Sequence, residues 1–199
     1  ALELNKIFFE VVIAKGFEPN ALKILKKRKN LRIINSANQH KNNFINISHN
    51  FNSILLQESD IKKLSKKNFR VVSKKKPNKK LFDSLIFAFN VCRFVNSNAI
   101  VLAKDNSIVG IGSGQPSRLD SCKIALNKMR KFQKFNIKDK IVAASDAFFP
   151  FVDGIETLVQ SGIKAVIQPS GSIRDKEIIK FANDTDTILV FSKTRHFKH

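Results

Sequence analysis

Four short segments carry most of the side chains in this chain that could do chemistry: "GIGSGQPSR" (110–118), "SDAFFPF" (145–151), "QPSGS" (168–172) and "SKTRHFKH" (192–199). Arg118 and Arg195 offer planar forks suited to a carboxylate, a phosphate or a carbonyl group. Arg118 falls in the first turn of an expected helix, where a cation opposes the helix dipole, so an anionic or carbonyl partner is expected beside it. Gly112 and Gly114 allow close approach of backbone to a ligand or to a neighbouring segment. "GIGSGQ" lacks the glycine intervals of a dinucleotide fingerprint and the following lysine of a phosphate loop. Ser170, Gly171 and Ser172 precede another helix. Ser172 with Asp175 reads either as a plain helix cap or as free amides placed to bind an anion. His199 ends the chain, and its own terminal carboxylate would favour a proton on its imidazole.

The stretch "SDAFFPFVDG" (145–154) fits no regular element. Pro150 would break a helix interior, and the residues do not alternate as a half-buried strand does. It is therefore a loop dense in aromatic surface. Such a loop either lines a site for a flat ligand or forms a small hydrophobic cluster of its own.

The elements that must hold these segments follow from periodicity. Residues 1–76 mix short apolar runs with polar loops: a helix end running into a strand at 5–14, a helix opening near Pro19, and strands at "LRII", "FINIS", "SILLQ" and "FRVVS". A basic linker, "KKKPNKK", comes next. Leu81, Phe82, Leu85, Phe89 and Cys92 then recur at helical spacing. After that helix, "NAIVLA" and "IVGIGSG" flank the turn "KDNS" as a hairpin. Helices expected at about 117–132, 153–162 and 172–184 alternate with strands "KIVAASD", "IKAVIQP" and "TILVF". This alternation predicts an α/β sheet covered by helices on both faces. In such a sheet, ligands sit at the carboxyl ends of the strands, and all four segments fall there.

Composition narrows the function classes. The chain has 199 residues, 43% of them hydrophobic, and a net charge of +20. No apolar run reaches membrane-spanning length, and the first residues do not read as a signal peptide. A soluble, cytoplasmic protein is expected. The chain begins at Ala1 and enters an amphipathic element at once, so it is read as a truncated product. Cys92 and Cys122 form neither a disulfide framework nor a zinc site and are expected to be buried thiols. The charge comes mostly from dispersed lysines, with dense runs only at 26–29 and 73–80. A solvated basic surface is the expected reading, attraction of small polyanions a second, and nucleic acid the least favoured.

Taken together, "SNAIVLAKDNSIVGIGSGQPSRLDS" (97–121), "ASDAFFPFVDGIE" (144–156), "GIKAVIQPSGSIRD" (162–175) and "RHFKH" (195–199) resemble, in order and spacing, the C-terminal part of the AICAR transformylase domain of the bifunctional purine biosynthesis family. "FFEVVIAKGFEPNALKILKKRKNLRI" upstream resembles it too; the likeness weakens only in 36–66. The resemblance implies cytidine-deaminase-like layering, with 1–76 as the end of a first subdomain and 77–199 as a full second one. Zinc is not expected, since the motifs H-x-E and P-C-x-x-C of the zinc deaminases are missing.

The resemblance also implies an activity: formyl transfer from 10-formyltetrahydrofolate to the 5-amino group of AICAR, within a homodimer. On this likeness Asn98 and His199 act near the reacting nucleotide. Arg118 and the Phe148 backbone hold its carboxamide, and Arg195 holds its 5′-phosphate. Leu119, Pro150, Phe151, Asp153 and Ser172 line the folate side. Ser97 and Asp146 match a monovalent-cation site, potassium in kind, although Val95 and Ala99 depart from the pattern beside it. The family's Lys-His pair, in a K-H-x-N-P-C-G-type motif, is not in these residues, nor is the cyclohydrolase domain. The chain is therefore expected to supply substrate-binding walls without turning over alone. A basic nucleic-acid-binding module and a non-catalytic scaffold on the same fold are the rival readings.

Overall fold

A computed structural model describes residues 1–37, 45–62, 64, 66–132 and 140–198. They form two compact units, Ala1–Ser59 and Asp60–His199. The division lies upstream of the basic linker at which the sequence places its boundary.

In the first unit, β1 (Val11–Ala14) pairs in parallel with β2 (Arg32–Asn35). They are joined through α1 (Pro19–Leu25), which has proline in its first turn, where no donor is lost. Arg28, in the basic run, donates to the carbonyls of Asn5 and Ile7 at 2.7 and 2.9 Å and stacks over Phe9. One charge of that run is thus architectural. β3 (Ile45–Asn50) and β4 (Ser53–Glu58) make a separate antiparallel hairpin.

The second unit is built on a six-stranded sheet. Its elements are β5 (Phe69–Val71), α2 (Lys79–Cys92), β6 (Ile100–Lys104), β7 (Ser107–Gly112), α3 (Arg118–Phe132), β8 (Val142–Ser145), α4 (Val152–Gln160), β9 (Ala165–Pro169), α5 (Asp175–Asp184) and β10 (Ile188–Ser192). The strand order is β5-β10-β9-β8-β6-β7. β8, β9 and β10 run parallel, as helix-linked strands must. The β6–β7 hairpin joins antiparallel to β8, and β5 closes the other edge antiparallel to β10.

Alternation along the strands sends side chains to two cores. Ile100, Leu102, Ala143, Val166, Leu189 and Phe191 pack with α3, α4 and α5. Val101, Ala103, Val142, Ala144, Ile167 and Val190 pack with α2. The central strands are therefore apolar on both sides, which is why they read as continuous runs in the sequence. The stripe expected on α2 is the one buried: Leu85, Phe89 and Cys92 are sealed, with Leu81 and Phe82 half-covered beside them. Asn78 caps this helix by accepting from the Leu81 amide at 2.9 Å. No helix among the described residues is long and apolar enough to cross a membrane.

Candidate functional site

The carboxyl ends of the central strands converge on a buried polar cluster. Arg118, the first residue of α3, is 8% exposed and faces Asp146, just past β8, at 1%. Its Nη1 donates to the Asp146 carboxylate and, at 2.7 Å, to Ser145 Oγ. Its Nη2 donates to Asn98 Oδ1 at 2.8 Å. The cation that opposes its own helix dipole is thus matched by an internal carboxylate. Asn98 Nδ2 donates to the carbonyls of Gln115 and Pro116, and Ser121 Oγ donates to the Asn98 carbonyl at 2.7 Å. This fixes the amide's orientation: both N–H groups are used, and only Oδ1 has a lone pair left for a ligand.

Gly112 lets this cluster assemble. A Cβ there would lie 1.8 Å from the Ser121 carbonyl oxygen, so α3 approaches β7 as closely as it does only over glycine. Of the two readings the sequence allowed for Gly112, close packing of a neighbouring segment is the one observed. Gly114, by contrast, has φ +67 and open space around its Cα.

Beside the cluster lies a cavity of about 460 Å³. Asn98, Arg118 and Leu119 line one side of it. Phe148, Pro150, Phe151 and Asp153 line another, and Arg195 reaches it from the chain's last segment. The aromatic loop divides its labour. Phe149 turns inward at 1% exposure, seated where Gly154 leaves room for its ring, and its amide donates to Gln168 Oε1 at 3.2 Å. Phe148 is half-buried in the cavity wall. Phe151 stays exposed, with the Arg174 guanidinium 4.7 Å above its ring. Arg195 lies 4.6 Å over the ring of Phe197.

Four expected residues stand differently. Ser172 does not line the cavity. Its Oγ accepts from the Arg174 amide at 3.1 Å, while Asp175 reaches back to accept from the amides of Gly171 and Ser172 at 2.8 and 3.3 Å. Those amides lie in the loop that leads into α5, and the protein's own carboxylate occupies the place of an anion there. Ser97 and Asp146 do come together, through a hydrogen bond from Ser97 Oγ to the carboxylate oxygen that Arg118 does not take. With both oxygens engaged and the charge balanced, a monovalent cation there would have to share or displace a partner. His199 lies outside the described residues.

Other members of the neighbourhood fall in the same segments, but nothing in the sequence gives their roles. Ser145 bonds Arg118 and donates to the Ala147 carbonyl at 2.6 Å. Gln168, wholly buried in β9, holds the aromatic loop by its side-chain carbonyl. His196 is wholly buried and bonds Asp60. Burial outweighs that bond and lowers the His196 pKa below its ordinary value. Each is a lone polar residue in apolar surroundings; only the partner brought near by folding distinguishes it from an ordinary buried one.

The AICARFT/IMPCHase bienzyme family model matches residues 1–128. Over 197 residues the chain is 42% identical to the bifunctional purine biosynthesis protein PurH of Buchnera aphidicola subsp. Schizaphis graminum, covering 98% of this chain and 37% of that protein. PurH of Aquifex aeolicus is 43% identical over 200 residues, with 100% of this chain and 38% of the relative covered. PurH of Leuconostoc mesenteroides is 40% identical over 203 residues, with 100% and 39% covered. The chain therefore spans well under half the length of the curated relatives it matches.

Proposed function

Because this chain belongs to the AICARFT/IMPCHase bienzyme family, we propose that its cavity is one wall of an AICAR transformylase site, on a cytidine-deaminase-like fold. The family ties it to purine biosynthesis. The observation that carries the finer reading is the meeting of Asn98, Arg118, Phe148 and Arg195 around one cavity from four separate segments. Asn98 and Arg118 are joined by their own hydrogen bond, whereas Phe148 and Arg195 reach the same cavity from two further segments.

The reaction moves a formyl carbon from N10 of 10-formyltetrahydrofolate to the 5-amino nitrogen of AICAR. One C–N bond forms and one breaks; the amine loses a proton and N10 gains one. The amine is conjugated into the imidazole and is a weak nucleophile, so orientation matters most. Holding both reactants in line supplies about 7–11 kcal/mol in favourable cases. Asn98 Oδ1, which keeps one lone pair beside its bond from Arg118, accepts from the amine N–H and so turns the nitrogen lone pair toward the formyl carbon. Phe148 and Pro150 offer flat apolar surface to the rings. Arg195, exposed at the rim, pairs with the 5′-phosphate through its fork. Asp153 and Leu119 face the folate side. Proton transfer falls to the Lys-His pair of the upstream half and to His199, which on this reading completes the site together with a second copy.

Mixing the 199-residue chain with a separately produced upstream transformylase half tests the reading. Formation of tetrahydrofolate, dependent on both pieces and on AICAR, is the expected result. No turnover from the mixture, under conditions where the two halves associate, would overturn it.

A further inference from the structure

One polar pair, a buried histidine and a partly exposed aspartate, takes no part in the chemistry above. The imidazole of His196 is fully buried, with its ring 4.5 Å from that of Phe89. Its Nδ1 bonds the Asp60 carboxylate, and its Nε2 has no partner among the described residues. An imidazole taken from water into apolar surroundings with one nitrogen unpartnered is costly, and a well-packed apolar side chain would fill its place more stably; the Asp60 carboxylate keeps 23% of its side chain exposed. What the pair does is fix a point on the chain. The His196 amide donates to the Asp146 carbonyl at 3.0 Å. The tail is also tied on both sides: the Lys193 amide donates to the Asn68 carbonyl at 3.0 Å, and the Ser97 amide to the Lys198 carbonyl at 3.1 Å. Arg195 is the residue between these ties whose side chain lines the cavity. Asp60 lies far away in sequence, so this tie is made only when the second unit is complete.

We propose that Asp60 and His196 are positioning residues: their part-buried hydrogen bond holds the terminal segment so that Arg195 points into the cavity at the phosphate of a bound nucleotide. This rests on the cavity being a nucleotide site. The pair touches no ligand. It acts through Arg195, so its loss falls on recognition of the phosphate and leaves recognition of the ring and ribose intact.

Calorimetric titration of the chain, associated with the upstream transformylase half, with AICAR and with its unphosphorylated nucleoside, in a double-mutant cycle, tests this. His196→Leu is expected to weaken nucleotide binding by about tenfold, the loss of one misaligned charge-assisted hydrogen bond, and to leave the nucleoside unchanged. In an Arg195→Ala background His196→Leu should add nothing. Asp60→Asn, close to isosteric, decides the matter should His196→Leu not fold; a smaller loss in the same direction is expected. Additive effects in the cycle, equal losses for nucleotide and nucleoside, or an unchanged Asp60→Asn would overturn the assignment. Failure of the unaltered chain, associated with the upstream half, to bind AICAR would instead refute the nucleotide-site reading itself, and this inference with it.

Discussion

Replacing Arg118 with methionine tests the physics of the site most severely. The guanidinium makes hydrogen bonds to Ser145, Asp146 and Asn98 from a position only 8% exposed. Methionine fills similar space but leaves the Asp146 carboxylate, at 1% exposure, with no cation and only the Ser97 hydroxyl as side-chain donor. Removing one member of a buried ion pair costs about 3–5 kcal/mol, because the remaining charge cannot be solvated. Against a total stability on the order of 5–15 kcal/mol for a domain, that is a large loss. Urea unfolding should show it as a lower midpoint at unchanged slope. Adding Asp146→Asn removes the stranded charge and keeps the shape, so the double variant should recover much of the loss. A cost under about 1 kcal/mol, as for an exposed ion pair, would refute the reasoning. So would a double variant no more stable than Arg118→Met alone.

Gly112→Ala should destabilise by about 1–3 kcal/mol or more by forcing α3 off β7, whereas Gly16→Ala, with nothing within 4 Å of its Cβ, should not; denaturant midpoints compare them. Burial pushes the Cys122 thiol up to about 12 and raises Cys92 as well. Both should therefore resist a thiol reagent in native buffer and react on unfolding, and fast native-state labelling would contradict this. Burial lowers the His196 pKa from its ordinary 6.5 despite the Asp60 bond, with Arg93 lowering it further and Asp146 raising it. Between the two pKa values the unfolded chain binds more protons. Stability is therefore full above 6.5 and is lost as pH falls toward the folded value. Thermal melts across about pH 5 to 8 should show this slope, and His196→Leu should flatten it.

Sequence periodicity encodes faces, and it was legible wherever a face decides the structure. The stripe on α2, the β6–β7 hairpin and the apolar runs of β8, β9 and β10 stand where their patterns place them. The strand-end segments were legible for the same reason: a covered sheet sends its polar residues to the strand ends. Periodicity does not encode partners. "FRVV" reads as a strand but does not say that it closes the sheet's edge beside β10, so the unit boundary falls upstream of the linker. Asp60 and His196 look like ordinary polar residues until folding joins them. Gly112 permitted two kinds of close approach, and only the packing of α3 distinguishes them. Ser172 shows the same limit: the residue types of a loop entering a helix and of an anion site are identical, and Asp175 decides between them.

The central claim is that one cavity binds the nucleotide. Amide and side-chain resonances of the labelled chain, associated with the unlabelled upstream half and followed by NMR while AICAR is added, test it directly. The account expects the largest changes at Asn98, Arg118, Phe148 and Arg195, moving together with a single affinity. Changes confined to the lysine-rich runs, or none at saturating nucleotide, would contradict it.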